Sequence, residues 1–259
     1  MIKIKKNTYD NSTEQTKEQL RQKILSFKNP EKDPLLTREF YELTLTYYAV
    51  FTPEGQYRPL HSHTRPLEHA TIREALLETK AKHTLEVGFA YGTSALIFAE
   101  HHQEMKNTGI SHTIIDPNQF GKGQGHWEGI GAENLKRVGF TRGRQYRLLE
   151  ETSIEALPIL FSKFGSEWLD VAFIDGWHTF DYTLMDLFYC LEMLKVGGIV
   201  IVDDKRFKAI NAVANYVKRA YPHVVDICPK KCKSHIVLKK VAKDTRDWNS
   251  DEKVNFNLS

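Results

Sequence analysis

The sequence lacks the features of a disulfide-rich secreted protein or a membrane protein. It has three cysteines among 259 residues, an odd and small number that argues against a disulfide framework and favours a reducing compartment. No apolar run approaches the roughly 20 residues that a membrane-spanning helix needs. The charged start of the chain is followed by no apolar stretch, so we expect no secretory signal there. These absences predict a cytoplasmic protein with no membrane partner.

A strong excess of one charge is also missing. Lysine and arginine number 36 and aspartate and glutamate 33, which gives a formal net charge of +3. So weak a basic bias does not point to a nucleic-acid partner, because nucleic-acid binders usually carry a clustered basic face. The length suits one large domain, or one domain with a modest cap. The sequence is compatible with a homo-oligomer but does not determine the oligomeric state.

The sequence does contain an alternation of strand-like and helix-like segments from about residue 67 onward. This alternation predicts an α/β fold, in which a doubly wound, mostly parallel sheet is covered by helices on both faces. A C-terminal pair of strands, at 224–228 and 235–238, is expected to add an antiparallel strand. The earlier strands are predicted at 83–87, 112–115, 146–149, 169–174 and 199–202. Ligands of such sheets bind at the carboxyl ends of the strands, near the topological switch point.

The first predicted strand runs into a glycine-containing turn, Glu86-x-Gly88-x-x-x-Gly92. Two glycines let the backbone approach a ligand and turn into the next helix. The dinucleotide fingerprint G-x-G-x-x-G is absent, so ligand binding and a plain turn remain alternatives for this motif alone. Asp116 ends the second strand, where a carboxylate can accept hydrogen bonds from ribose hydroxyls. The alternative, a helix-capping role, is weakened by Pro117.

Three carboxylates are predicted to meet at neighbouring strand ends. Asp175 follows the strand at 169–174, and Asp203 and Asp204 follow the strand at 199–202. Each one alone could merely cap the next helix. Their convergence favours an oxygen-rich site of the kind that suits Mg²⁺, Ca²⁺ or Mn²⁺. His178, three residues after Asp175, adds an imidazole that could act as a general base.

Taken in order, these motifs resemble those of the class I S-adenosylmethionine-dependent methyltransferases, which have a Rossmann-like fold. The likeness extends over residues 66–240 and includes F-I-D-G-W-H at 173–178 and L-K-V-G-G at 194–198. It is greater to bacterial small-molecule and sugar O-methyltransferases and more distant to catechol O-methyltransferase. The resemblance implies an enzyme that uses S-adenosyl-L-methionine to methylate a hydroxyl group of a small-molecule acceptor.

The resemblance also implies roles for the cofactor-binding residues. Gly88 and Gly92 would flank the methionine portion, with Glu86 bracing the loop and Ser94 near the methionine carboxylate. Asp116 would bind the ribose. The cofactor-binding positions that follow are Glu86, Gly88, Gly92, Ser94, Asp116, Ser153 at the adenine edge, and Asp175.

The same resemblance implies the catalytic and metal-binding residues. Asp175, Asp203 and Asp204 match the divalent-metal triad of the metal-dependent members, and His178, beside Asp175, stands where their general base is expected. Catechol-type enzymes commonly carry Asp-Asn where this chain has Asp203-Asp204, and the extra charge would favour a hard dication such as Mg²⁺. Methyl transfer from a sulfonium is an in-line displacement that needs a close, deprotonated acceptor oxygen. A metal ion and an imidazole both serve that need.

Two other functions remain as alternatives. A non-catalytic nucleotide-binding member of the fold would keep Gly88, Gly92 and Asp116 but carry out no chemistry. An N-methyltransferase is the other alternative, although the [DN]-P-P-[YF] motif of many such enzymes is absent.

The ends of the chain carry no motif that identifies a function. Helices are predicted over 13–27 and 36–51, and the proline-rich stretch 52–66 is predicted to be a loop. The aromatic residues of the second helix are too apolar to face water. We therefore expect 1–64 to form a helical cap over the acceptor side of a 65–240 methyltransferase domain. Residues 241–259 are predicted to form a polar tail.

Overall fold

The computed structural model describes residues 8–121, 123, 125–228 and 234–250. These residues form eight helices and nine strands. The helices are α1 (Glu14–Ser26), α2 (Pro34–Tyr47), α3 (Pro66–Thr79), α4 (Thr93–Glu104), α5 (Ile130–Arg137), α6 (Ser153–Phe164), α7 (Phe180–Met193) and α8 (Lys208–Ala220). The strands are β1 (Ala49–Phe51), β2 (Tyr57–Pro59), β3 (Thr84–Val87), β4 (His112–Ile115), β5 (Tyr146–Leu149), β6 (Leu169–Ile174), β7 (Leu194–Val202), β8 (Val224–Asp226) and β9 (Ile236–Lys240).

The larger sheet has seven strands in the order β5-β4-β3-β6-β7-β9-β8. Strands β3 to β7 pair in parallel, and β9 is antiparallel to both β7 and β8. The strand order reverses at β3, which has β4 on one side and β6 on the other, so the switch point lies there. The predicted doubly wound fold with a C-terminal antiparallel strand is confirmed.

The sheet is covered on both faces because its strands are apolar on both sides. In β6, Val171 and Phe173 face one hydrophobic core, and Ala172 and Ile174 face the other. The first core contains buried residues of α1 to α5, and the second contains those of α6 to α8. Burial on both faces explains why these strands are continuous apolar runs rather than alternating ones.

The structure corrects the prediction that a helix spans 36–51 and that 52–66 is a loop. Helix α2 ends at Tyr47, and the next residue, Tyr48, adopts a left-handed conformation with φ 54°. The chain then forms the antiparallel hairpin of β1 and β2. The apolar residues of β1 are fully buried, so their apolar character reflects a strand in the core and not a continued helix.

The N-terminal segment packs on one face of the sheet. Ile24, Phe40 and Phe51 belong to the same hydrophobic core as the residues of α4. An ion pair also joins the N-terminal segment to α4: Arg38 Nε lies 2.7 Å from Glu100 Oε1. In the structure, residues 8–64 therefore share a core with the main sheet. The first seven residues of the predicted cap lie outside the described residues.

In the part of the chain that the structure describes, no helix is long and apolar enough to cross a membrane. Residues 241–250 of the predicted polar tail contain no α-helix or strand. Arg246 anchors this stretch, since its guanidinium pairs with Asp244 at 2.7 Å and lies 3.5 Å from the ring centroid of Tyr221. The rest of the predicted tail, 251–259, lies outside the described residues.

Candidate active site

The glycine turn after β3 is shaped by a close approach between two strand ends. Gly88 has φ +91°, and a Cβ atom there would lie 2.0 Å from the carbonyl oxygen of Asp175. The amide of Gly88 donates to Ile115, and that of Asp175 donates to Val87. Glycine is therefore required at position 88 by both its backbone conformation and the space available. The turn and Asp175 come together at the carboxyl ends of β3 and β6.

Asp116, at the end of β4, binds the glycine turn through the backbone. Its Oδ2 accepts hydrogen bonds from the amides of Phe89 at 2.9 Å and Ala90 at 3.0 Å, and its Oδ1 accepts one from the amide of Asn118 at 2.8 Å. A carboxylate offers about four acceptor positions. Three are used inside the protein, so we expect Asp116 to accept one ribose hydroxyl rather than two.

The Asp116→Ala variant should bind S-adenosylhomocysteine about 1–3 kcal/mol more weakly, because it leaves the amides of the turn and a ribose hydroxyl without their acceptor. Isothermal titration calorimetry would measure this difference. Asp226→Ala, which removes a carboxylate paired with Lys218 near the opposite edge of the sheet, is the control and should bind normally. Equal affinity in the Asp116 variant and the wild type would contradict the assignment.

A cavity of about 680 Å³ opens at the carboxyl ends of β3, β4 and β6. This volume is typical of a small-molecule site. The predicted site residues that line the cavity are Gly88, Ser94, Asp116, Ser153, Asp175 and His178. Glu86, Gly92, Asp203 and Asp204 are absent from its lining. Glu86 is fully buried and its Oε2 accepts a hydrogen bond from Ser94 Oγ at 2.9 Å, while Gly92 begins α4 with φ +77°.

Several residues of the cavity wall are outside the predicted site residues. They come from the loop after β2, the loops that follow β4 and β6, and the first turn of α7: Ser62, His63, Thr64, Asn118, Trp127, Trp177 and Tyr182. The loops are joined through Tyr91, whose hydroxyl lies 2.7 Å from His61 Nε2 and whose ring contacts Trp127. Their glycines and prolines indicated loops in the sequence, but only long-range packing brings them to the cofactor edge of the sheet.

Asp175, His178 and Asp204 form a compact group of metal-binding atoms, which all lie within 4.8 Å of one another. His178 Nε2 is 3.3 Å from Asp175 Oδ1 and 3.4 Å from Asp204 Oδ2. Phe207 stacks on the imidazole with ring centroids 5.0 Å apart and fixes its plane. Asp203, predicted as the third metal ligand, is outside this group, and its Oδ1 accepts a hydrogen bond from the amide of Asp204.

The electrostatics of this group suit a divalent cation. Burial, together with Asp175 and the buried Glu68, raises the pKa of Asp203 to about 9. The hydrogen bond to Asp175, reinforced by Asp204, raises the pKa of His178. Several carboxylates are thus crowded together against one imidazole and the exposed Arg206, which pairs with Asp204. Carboxylate oxygens suit Mg²⁺ or Mn²⁺, whereas imidazole is a ligand of transition metals. A cation bound to the carboxylates would offset their repulsion.

Asp186, in α7, is a second buried carboxyl group near the cavity wall. It is 1% exposed, and neither oxygen makes a hydrogen bond of normal geometry. Burial raises its pKa to about 7, with only Ser153 acting in the opposite direction. The protein therefore loses stability as the pH rises from about 4 to about 7, because the unfolded chain releases this proton more readily than the folded one.

The Asp186→Asn variant should be more stable than the wild type at pH 8, by at most about 4 kcal/mol, and nearly equal to it at pH 4. Urea unfolding at both pH values would measure the difference. Asp181→Asn, an exposed position on the same helix, should show no such gain. A gain that is independent of pH would mean that charge at Asp186 is not its cause.

Comparisons with known proteins agree with this fold. Residues 85–205 match a family described as a methyltransferase domain, and no curated protein matches the chain. A methyltransferase of Podospora anserina bound to SAH is 15% identical with a TM-score of 0.56, over 90% of this chain and 97% of that chain. An O-methyltransferase from Bacillus cereus in complex with SAH is 15% identical with a TM-score of 0.51, over 71% of this chain and 84% of that chain. At this identity the two structures show a shared fold.

The family match begins in β3 and ends just after β7, so it contains the glycine turn, Asp116, Asp175 and Asp204. These are the residues that the fold gathers around the switch point of the sheet, where ligands of such sheets bind. Residues 85–205 therefore form a methyltransferase domain, in a chain whose fold is similar to that of methyltransferases solved with SAH.

Proposed function

We propose that this methyltransferase acts on oxygen and transfers the methyl group to a hydroxyl of a small metabolite or sugar. A divalent cation assists the transfer, and Mg²⁺ is the first candidate. The grouping of Asp204 with Asp175 and His178, which line the cavity, carries the proposal. A hydroxyl is a weak acid, so its attack on a sulfonium methyl needs a device that removes its proton. Similarity in fold to the O-methyltransferase from Bacillus cereus supports the same reaction type.

The cofactor would lie along the strand ends. Its methionine portion would occupy the glycine turn at Gly88, its ribose would contact Asp116, and its adenine would lie near Ser153. Asp175 and His178 line the same cavity, and in this direction the sulfonium would lie on their side of it. The acceptor would then enter from the side that the loop after β2 and the 120–130 loop enclose, and close positioning of the two reactants supplies much of the rate enhancement.

Asp175, Asp204 and His178 would hold the cation, with Asp203 buried behind a hydrogen bond to the Asp204 amide. When bound, a divalent cation lowers the pKa of a coordinated hydroxyl group. The carboxylates beside His178 raise its pKa, and a bound cation would weaken that effect. If Asp175 and Asp204 hold the cation without His178, a neutral His178 could accept the proton of the acceptor hydroxyl.

His63 is a second histidine that could serve as the base. It lines the cavity, and burial lowers its pKa, so it is neutral at pH 7. Its Nε2 lies 3.3 Å from the Tyr48 hydroxyl, and its buried Nδ1 has no hydrogen-bond partner. If His178 binds the cation through its proton-accepting nitrogen, His63 is the other imidazole in the cavity wall that can accept a proton.

Mn²⁺ titration by calorimetry tests the cation site without requiring a known acceptor. We expect one Mn²⁺ to bind the wild type, and Asp175→Asn and Asp204→Asn to abolish binding. Asp226→Asn, remote from the site, should retain it. A screen of hydroxylated and amino compounds with methyl-labelled S-adenosylmethionine tests the reaction. Transfer to amines alone, or full activity in excess chelator with no Mn²⁺ bound, would contradict the proposal.

A further inference from the structure

A tight turn after β7 brings a positively charged side chain back to the proposed cation site. Asp204 adopts φ +54°, and its carbonyl oxygen accepts a hydrogen bond from the amide of Phe207 at 2.9 Å. The turn and the first residue of α8 contain three basic side chains, those of Lys205, Arg206 and Lys208. Of these, Arg206 folds back over the turn, so that its Nε lies 3.1 Å from Asp204 Oδ1.

The carboxylate of Asp204 is thus shared between two nitrogen-bearing side chains. Its Oδ1 faces Arg206, and its Oδ2 lies 3.4 Å from His178 Nε2. A divalent cation that coordinates Asp204 would meet the guanidinium at the same carboxylate, and two positive charges at so short a distance repel each other. Binding of the cation therefore favours a movement of Arg206 away from Asp204.

The ion pair between Arg206 and Asp204 can be broken at little cost. The Arg206 side chain is 61% exposed, and ion pairs so open to solvent contribute little to stability. A divalent cation carries twice the charge of a guanidinium and binds carboxylate oxygens directly. Asp204 can therefore exchange its guanidinium partner for the cation.

Phe207 keeps the guanidinium beside the site after this exchange. The Arg206 guanidinium carbon lies 5.4 Å from the centroid of the Phe207 ring, which is within the range of a cation–π contact. The other neighbour of this ring is His178, which stacks on it with centroids 5.0 Å apart and an angle of 3° between the planes. Arg206 can thus leave Asp204 and remain close to the imidazole that lines the cavity.

The balance of charge at the site changes when the cation binds. Two carboxylates, Asp175 and Asp204, neutralise a divalent cation, so the positive charge of Arg206 is then left uncompensated. A guanidinium presents a fork of N–H donors that matches the oxygens of a carboxylate or a phosphate. We infer, on the basis of the proposed function, that Arg206 leaves Asp204 when the cation binds and then holds an anionic group, a carboxylate or a phosphate, of the methyl acceptor.

Calorimetry with Mn²⁺ alone tests the exchange at Asp204. Arg206→Gln removes the competing charge, so we expect this variant to bind Mn²⁺ about 3- to 10-fold more tightly than the wild type. A general structural defect would weaken binding instead. Arg206→Lys keeps the charge and should bind Mn²⁺ nearly as the wild type does. Lys208→Gln is the matched control, because Lys208 is also exposed and basic but forms no ion pair with Asp204 in the structure.

The Mn²⁺ results distinguish the inference from the proposed function. Equal affinity of the wild type and Arg206→Gln would overturn the exchange and leave the proposed cation site intact. A gain in Lys208→Gln as large as that in Arg206→Gln would also overturn it, because general charge, and not the pair with Asp204, would then be the cause. Binding of Mn²⁺ by none of these proteins would contradict the proposed function and the inference together.

Pairs of acceptors that differ in an anionic group test the second role of Arg206. Hydroxybenzoates are compared with hydroxybenzamides, and hexose phosphates with hexoses, in the presence of Mn²⁺ and methyl-labelled S-adenosylmethionine. We expect the wild type to methylate the charged member of at least one pair with a kcat/KM about 10-fold higher or more. The pair that shows this preference distinguishes a carboxylate from a phosphate.

The same pairs are then offered to the variants. Arg206→Gln should lose most of the preference through a higher KM for the charged acceptor, Arg206→Lys should lose part of it because it lacks the fork of donors, and Lys208→Gln should keep it. A preference that survives in Arg206→Gln would overturn the assignment of the anionic group to this residue. Transfer mainly to the uncharged members, or to no member of any pair, would overturn the anionic acceptor.

Discussion

Replacing Gly88 by alanine should destabilise the protein by about 3 kcal/mol or more and abolish cofactor binding. The new Cβ would lie 2.0 Å from the carbonyl oxygen of Asp175, a backbone atom at the end of a central strand that no side-chain rotation can move away. The ends of β3 and β6 would have to separate. Their separation would displace both the turn that we propose to hold the methionine portion and Asp175, which we propose lies beside the reacting centre.

Gly197→Ala is the matched control for this prediction. Gly197 has φ +93°, close to the +91° of Gly88, but no atom lies within 4 Å of the Cβ that alanine would add. The control should cost only the backbone strain, about 1–2 kcal/mol, and leave the binding of S-adenosylhomocysteine intact. Urea unfolding and calorimetry would measure both effects. Similar small losses of stability in the two variants would show that the strand ends can separate at little cost in free energy, which would contradict the prediction.

The parts of the molecule that could be predicted from the sequence are those fixed by local pattern. The central strands are apolar runs that end abruptly at Gly88, Asp116 and Asp175, and parallel strands bring their carboxyl ends to one edge. The order of motifs then predicted which edge of the sheet binds the cofactor. The grouping of Asp175 with Asp204 followed in the same way, because β6 and β7 are neighbours.

Asp203 shows that the sequence pattern alone did not predict which aspartate lies beside Asp175 and His178. Successive side chains in a strand point to opposite sides, so the position of two consecutive aspartates depends on the turn that follows the strand. Asp203 is buried at the end of β7, whereas Asp204 adopts φ +54° and turns its carboxylate toward His178. A left-handed aspartate has no reliable signature in a sequence. The imidazole, predicted as a base, therefore lies where the third ligand was expected.

The side of the cavity formed by the loops after β2 and β4 could not be predicted, because it depends on contacts between segments that are distant in the sequence. The hairpin of β1 and β2 was obscured by an apolar stretch, 49–51, that continues directly from a helix. That hairpin leads into the loop that carries His63 to the cavity. Arg58 in β2 joins the 120–130 loop through a salt bridge to Glu128 at 2.6 Å. Each partner of such a contact looks like an ordinary loop or surface residue in the sequence.

His178→Ala should lower kcat by about 10²- to 10⁴-fold, the usual range for loss of a general base, and leave the affinity for S-adenosylhomocysteine nearly unchanged. The cofactor contacts proposed above lie mainly at the ends of β3 and β4, whereas His178 follows β6. The measurement is single-turnover methyl transfer to an acceptor identified in the labelled screen. A matched His63→Ala variant removes the other imidazole of the cavity wall.

Measurements on the two histidine variants, with and without Mn²⁺, distinguish a general base from a metal ligand at His178. A base and a metal ion both act on the acidity of the acceptor hydroxyl, so their losses should not add, and chelation should cost less in His178→Ala than in the wild type. If His178 is only the base, its alanine variant should still bind Mn²⁺. If it is a ligand, Mn²⁺ affinity and kcat should fall together and His63→Ala should show the loss typical of a base. Near-normal turnover in both variants would exclude an imidazole base, since the cavity wall contains no third histidine among the described residues.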